Sequence, residues 1–93
     1  MEFRSEHVDD FLAHFDTIKS LIRNFPGVQH LELHRDATQS NVFYTYSKWN
    51  GEIDLEAYRD SKLFNDTWAQ VKSWFKSDPQ AFSLLEEMVV KGK

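Results

Sequence analysis

The sequence predicts a single α+β domain of ferredoxin-like type: a βαββαβ chain whose four-stranded antiparallel sheet is covered by helices on one face. Three observations carry this expectation. Apolar residues recur at three- and four-residue steps along residues 6–24 and again along 61–76, the spacing of one helix face. Between them, residues 28–35 and 41–49 switch to a period of two, the spacing of strands. With 93 residues the chain is long enough for one core, burying roughly 65% of the surface that its unfolded form exposes.

Only residues 1–4 precede the first helix, so the first strand is short or lacks its beginning. A native start upstream of Met1 would supply further sheet residues. The first helix carries the stripe Val8, Phe11, Leu12, Phe15, Ile18, Ile22 and Phe25. Ser5 is placed to cap it, with Glu6, Asp9 and Asp10 near the positive end of the helix dipole and Lys19 and Arg23 near the negative end. Pro26 and Gly27 stop it.

The two strands are separated by the polar run 36–40, which predicts an antiparallel hairpin. Placing Arg35 opposite Val42 collects Leu31, Leu33, Val42, Tyr44 and Tyr46 on one face. It leaves Val28, His30, Glu32, His34, Phe43, Thr45, Ser47 and Trp49 on the other. A slip of one residue would mix the two sets. Asn50 and Gly51 break the second strand, and helices follow over 52–59 and 61–76, the latter with Phe64, Trp68, Val71 and Phe75 in line. Asp78 and Pro79 end it. Residues 82–91 close the chain as a strand, since Phe82, Leu84, Met88 and Val90 share one parity, although Glu86 and Glu87 also suit a terminal helix.

Composition narrows the function. The chain is 41% hydrophobic and 15% aromatic, with three glycines and two prolines, the balance of a folded domain rather than a disordered one. It has no cysteine, which excludes disulfides, thiolate nucleophiles, iron–sulfur clusters and cysteine-ligated zinc. A net charge of −4 argues against a nucleic-acid partner, because such binding neutralises phosphates with Lys and Arg. No apolar run approaches the roughly 18 residues of a membrane span, and the start of the chain lacks a signal peptide's apolar stretch. A cytoplasmic protein with no membrane partner is expected. The absence of a phosphate-binding glycine loop argues against nucleotide or flavin binding by a standard motif. A sheet covered on one side leaves its second face bare. Carrying Phe43, Trp49 and Val28, that face is too apolar for water, which predicts a homodimer.

Several segments resemble one family. They are Phe25-Pro26-Gly27-Val28, Leu31-Glu32-Leu33-His34-Arg35-Asp36, residues 43–49, Tyr58-Arg59-Asp60-Ser61-Lys62-Leu63-Phe64, Trp68, Val71-Lys72 and Pro79-Gln80-Ala81-Phe82-Ser83. Together these resemble the antibiotic biosynthesis monooxygenases over nearly the whole chain. The resemblance implies a ferredoxin-like subunit that assembles as a dimeric α/β barrel. It also implies an activity drawn from a mixed group: cofactor-free oxygenases of phenols and polyketides, quinol oxygenases, haem-degrading enzymes and proteins of no known activity. The haem-degrading branch uses a Trp where this chain has Tyr58, an iron-ligating His where it has Trp68, and an Asn on the first strand that is missing here. An indole N–H is a donor with no lone pair to offer iron, so the match argues against haem degradation.

The resemblance leaves cofactor-free oxygenation open, with a small aromatic molecule and dioxygen as partners and no cofactor, beside the alternative of a non-enzymatic dimeric protein that binds a small ligand in the same pocket. That chemistry needs an electron-rich phenolate or enolate, donors to stabilise the anion, and shelter from water. The resemblance points to Tyr58, Arg59 and Trp68 as catalytic, with Arg59 holding the developing oxyanion. Tyr44, Tyr46 and Phe64 would line an aromatic pocket between sheet and helices, though aromatics at these spacings equally serve as core. His30 and His34 flank Glu32 on one strand face, with roughly 7 Å between neighbours. Such a trio can contact substrate, carry protons, hold a metal or simply form a polar stripe. His7 and His14 fall on the first helix, leaving no third ligand of known position, so no metal is assigned.

Overall fold

The computed structural model describes residues 1–92. Helix α1 (Val8–Arg23) is followed by strands β1 (Val28–Arg35) and β2 (Phe43–Trp49), then helices α2 (Glu52–Arg59) and α3 (Lys62–Val71). Tight 3-10 turns at Ser5–His7 and Lys72–Trp74 lead into α1 and out of α3. Among the described residues no helix is long and apolar enough to cross a membrane.

The first helix starts two residues later than its apolar spacing suggested, because residues 5–7 wind more tightly. Ser5 provides no side-chain cap, and neither does His7 at the start of α1. Asp9 and Asp10 supply negative charge there instead, with the His7 ring 2.9 Å from Asp10. At the far end Gly27 turns the chain at φ 92°, a conformation that side chains disfavour.

The hairpin register differs from expectation by one residue. Arg35 pairs with Phe43, Leu33 with Thr45 and Leu31 with Ser47. The inner face therefore joins Leu31 and Leu33 to Phe43, Thr45 and Ser47, while His30, Glu32 and His34 share the outer face with Tyr44 and Tyr46. The loop explains the shift. Asp36 accepts hydrogen bonds from the backbone of Thr38 and Gln39 and from the Thr38 hydroxyl. Its own N–H donates to Val42 O at 2.8 Å, so Val42 closes the loop and Phe43 opens the strand. The Phe43 ring, 2% exposed, then joins the core.

That core is small and aromatic. Phe3, Phe11, Phe43 and Val71 are buried together, with Leu12, Phe15, Leu33, Trp68, Trp74 and Phe75 packed around them. Phe3 stacks on Phe11 at 4.2 Å and on Phe75 at 5.0 Å. Of the residues on which the homodimer was argued, Phe43 is thus used within the subunit, and the outer face instead carries the exposed Tyr44 and Tyr46 beside His30, Glu32 and His34.

The sheet proper has two strands rather than four. The two outer positions of the expected topology are single antiparallel bridges, Glu2 with Val42 and Phe3 with Phe75. Across the molecule the order is β1, β2, the N-terminal residues, then Phe75. Pairing also explains why the last helix stops at Val71 instead of Lys76: Phe75 leaves the helix to meet Phe3, and Lys76 N donates to Glu2 O. With that edge taken, the stretch 82–91 finds no strand to pair with. It carries no regular structure and is exposed along its length, against the expected final strand.

Candidate functional site

The candidate site is a cavity of about 170 Å³ between α1, the α2–α3 pair and the inner face of β2. One face of α1 supplies Phe11, His14, Phe15, Ile18 and Ile22, the residues that its three- and four-residue periodicity aligns. Tyr58 comes from the last turn of α2, and Phe64, Thr67, Trp68 and Val71 from α3. Thr45 belongs to β2 and is itself exposed, so the cavity reaches solvent beside it.

Ser61 fixes how the two helices present this wall. Its hydroxyl oxygen accepts from Phe64 N at 3.1 Å, capping α3, and its O–H donates to Tyr58 O at 2.6 Å, closing α2. One serine thereby sets the spacing between Tyr58 and Phe64, whose rings meet edge to face at 5.2 Å. Tyr58 also lies against Phe25 at 5.2 Å and Trp49 at 5.1 Å. This aromatic surround removes water from the phenol, and burial pushes its pKa above the ordinary value of 10.0. Tyr58 is thus kept protonated, a donor able to meet a developing oxyanion rather than a base. Trp68 packs between Phe64 at 5.8 Å and Phe75 at 5.7 Å, and its indole N–H is likewise a donor only.

Of the residues singled out from sequence, Tyr58, Phe64 and Trp68 meet at this cavity. Arg59 does not. It follows Tyr58 on α2, a step of about 100° around the helix, and is exposed. Tyr44 and Tyr46 are turned outward by the register and are about half exposed. Tyr44 donates to Asp36 at 3.3 Å, and Tyr46 lies beside His30.

His30 and His34 are also outside. Both turn their Nε2 atoms to Glu32, which stands 2.6 Å from His34 and in close contact with His30. Hydrogen bonds from His30 and then His34 hold the Glu32 carboxyl below its ordinary value. Since both rings address that carboxylate, they do not converge on a common external point. Among the described residues no group of three or more His, Asp or Glu is placed to hold a metal ion.

His14 is the residue that sequence reasoning passed over. Its Nε2 is shut off from solvent without a hydrogen-bond partner among the described residues. Leaving such an atom unpaired costs about 1–3 kcal/mol. The signal lay in the periodicity, where His14 sits on the apolar stripe next to Phe15. A second depression lies between α1 and β1, lined by Phe15, Lys19, Ser20, Arg23, Leu31 and Leu33. Its cations are already engaged, Lys19 with Asp16 and Arg23 with Val28 O.

Residues 1–70 match the family model described as antibiotic biosynthesis monooxygenase. The chain belongs to this family. Solved structures agree on the fold. A protein from Mycobacterium tuberculosis, Rv0793, superposes with a TM-score of 0.78 at 20% identity, over 95% of this chain and 91% of that one. A candidate antibiotic biosynthesis monooxygenase from Deinococcus radiodurans gives 0.75 at 14% identity, covering 95% and 92%. Another from Nitrosomonas europaea gives 0.76 at 13% identity, covering 83% and 81%. Among curated proteins there is no significant match. The chain thus has an α+β, ferredoxin-like fold and belongs to the family that its sequence resembles.

Proposed function

We propose that this member of the family is a cofactor-independent oxygenase of a small aromatic, quinol or polyketide-like substrate. The observation that carries the reading is the aromatic cavity with the Tyr58 phenol held protonated in its wall. An electron-rich substrate anion itself reduces dioxygen. For a hydroquinone, one oxygen atom forms a new C–O bond and the other leaves as water. The ring supplies all four electrons and ends as a hydroxyquinone. The protein's part is to exclude water and to stabilise the anion with the donors Tyr58 and Trp68.

Oxygen uptake with menadiol, simple hydroquinones and an anthrone tests the proposal. Turnover is expected to fall by about 100-fold in Tyr58→Phe, the cost of one oxyanion donor. Tyr44→Phe and Arg59→Ala, which lie outside the cavity, should leave it near wild type. No uptake by the folded protein anywhere in the panel would overturn the reading. Should ring compounds then still raise the melting temperature, a non-enzymatic ligand-binding protein takes its place.

The proposal includes a homodimer, on different grounds from the sheet face first considered. Phe82, Leu84, Leu85, Met88, Val89 and Val90 all stand exposed on the C-terminal stretch, Leu85 at 95%. An apolar run of this kind marks an interaction surface. Light scattering should give twice the chain mass, reduced to the monomer by Leu85→Lys with Val90→Lys. A monomeric wild type rejects the assembly.

A further inference from the structure

We propose that Thr67 is a specificity-determining residue of the cavity, its hydroxyl holding a polar group of the substrate other than the oxygen that meets Tyr58. The inference rests on the oxygenase reading and deepens it, by naming the side chain that tells one ring compound from another.

The place of Thr67 on α3 is the first observation. Phe64, Thr67, Trp68 and Val71 follow the i, i+3, i+4 and i+7 spacing of a single helix face, and all four line the cavity. The other three are hydrophobic: Phe64 and Trp68 meet ring to ring at 5.8 Å, and Val71 is buried in the core. Thr67 is the polar member of this inward face. Valine has the same shape and would fill the position as well, so packing alone gives the hydroxyl no purpose.

The hydroxyl is also free. A helical threonine commonly spends its O–H on a carbonyl one turn back, as Thr17 on α1 does with His14 O at 2.6 Å. Around α3 the side-chain hydrogen bonds belong to Ser61 and to the Lys62–Asp66 pair, and among the described residues none engages Thr67. Nor is its oxygen sealed in. His14 Nε2 is the one partnerless side-chain atom shut off from solvent among the described residues, so the hydroxyl of the half-buried Thr67 keeps accessible surface on a face that lines the cavity. Thr45, on the sheet wall, is exposed, and water meets its needs without a ligand.

The chemistry separates Thr67 from the groups already assigned. Tyr58 and Trp68 are placed as donors to a developing anion. A threonine hydroxyl rotates to donate or accept, which suits a group that stays neutral through the reaction, a hydroxyl or a carbonyl. A contact equally strong in the ground and transition states sets affinity and leaves the chemical step alone. A site with such a hydroxyl discriminates against the analogue that lacks the matching group, because its own polar atom is then left unpaired.

The probes are 1,4-dihydroxynaphthalene and 1-naphthol, which share one ring system and differ by one hydroxyl. Calorimetry on the full chain under argon should show wild type binding the diol about tenfold tighter, the worth of one hydrogen bond. In Thr67→Val the two should bind alike, and Thr67→Ser should keep the preference. In air, Thr67→Val should raise KM for the diol about tenfold and leave kcat unchanged. Without any ligand, Thr67→Val should melt no lower than wild type, because its hydroxyl has no protein partner to lose. A diol preference that survives Thr67→Val, equal binding of the probes by wild type, or a lowered melting temperature in Thr67→Val would overturn the inference. A preference that depends on Thr67 without any oxygen uptake would uphold the binding role and sink the oxygenase reading. Uptake with a preference indifferent to Thr67 would do the reverse.

Discussion

Arg35 stands directly opposite Phe43 across the hairpin, and its guanidinium lies 4.7 Å from the centre of that ring. The pair settles which side of β2 faces the helices. Phe43 enters the core, and Tyr44 and Tyr46 are carried to the outside with His30 and His34. The aromatic lining of the cavity therefore comes from its helical walls, and the strand's tyrosines face away from it.

This register makes a stability prediction. Phe43→Ala should cost about 3–5 kcal/mol, a large share of what a domain of this size has to lose. Tyr44→Ala should cost less than about 1 kcal/mol, since its side chain is half exposed. Urea unfolding of the two variants decides it, and the reverse order would refute the pairing.

The Ser61 hydroxyl caps one helix and closes another. Ser61→Ala is expected to destabilise by about 1 kcal/mol, and Ser61→Asp, which keeps the acceptor, by less. Because the same serine spaces Tyr58 from Phe64, the alanine variant should also weaken 1,4-dihydroxynaphthalene binding, measured by calorimetry.

Gly27 meets Asp54 where α1 hands over to β1. A Cβ at Gly27 would come within 2.4 Å of the Asp54 Cβ, and its φ of 92° is itself unsuited to a side chain. Gly27→Ala should therefore cost about 1–3 kcal/mol. In a double-mutant cycle, Asp54→Gly should recover the part due to contact and leave the part due to backbone strain. Additive costs in thermal unfolding would show that Asp54 is not the obstacle.

Glu32 links stability to pH. Its pKa is lowered in the folded protein by His30 and His34, from an ordinary 4.5. The folded state thus favours the ionised form: its contribution is present above 4.5 and is lost as pH falls through the lowered folded value. The unfolding midpoint of wild type should exceed that of Glu32→Gln near neutral pH and approach it as pH falls through the lowered folded value. A gap that widened on acidification would contradict the assignment.

Much of the fold was legible. The stripe of α1, the first strand, the stop at Pro26-Gly27 and the bounds of α2 are local properties and stand as read, while the second strand keeps its period of two but opens at Phe43 rather than Asn41. The final strand misled because Val89-Val90 and the parity of residues 82–90 express a propensity to pair, whereas Phe75 and Lys76 already occupy the edge beside the N-terminal residues. Of the site, Tyr58, Phe64 and Trp68 were legible from the family's motifs, which do not by themselves say that Arg59 faces solvent.

By itself the sequence determined the family, the order of elements and the aromatic character of the helical walls, because periodicity and turn chemistry act between residues near one another in the chain. The tertiary structure alone decided the face of β2, the fate of residues 82–91 and the isolation of His14. A period of two reads the same after a slip of one residue. Only the packing of Phe43 against Phe3 and Phe11 selects the register, and only the rings and methyls assembled around His14 leave its nitrogen without a partner.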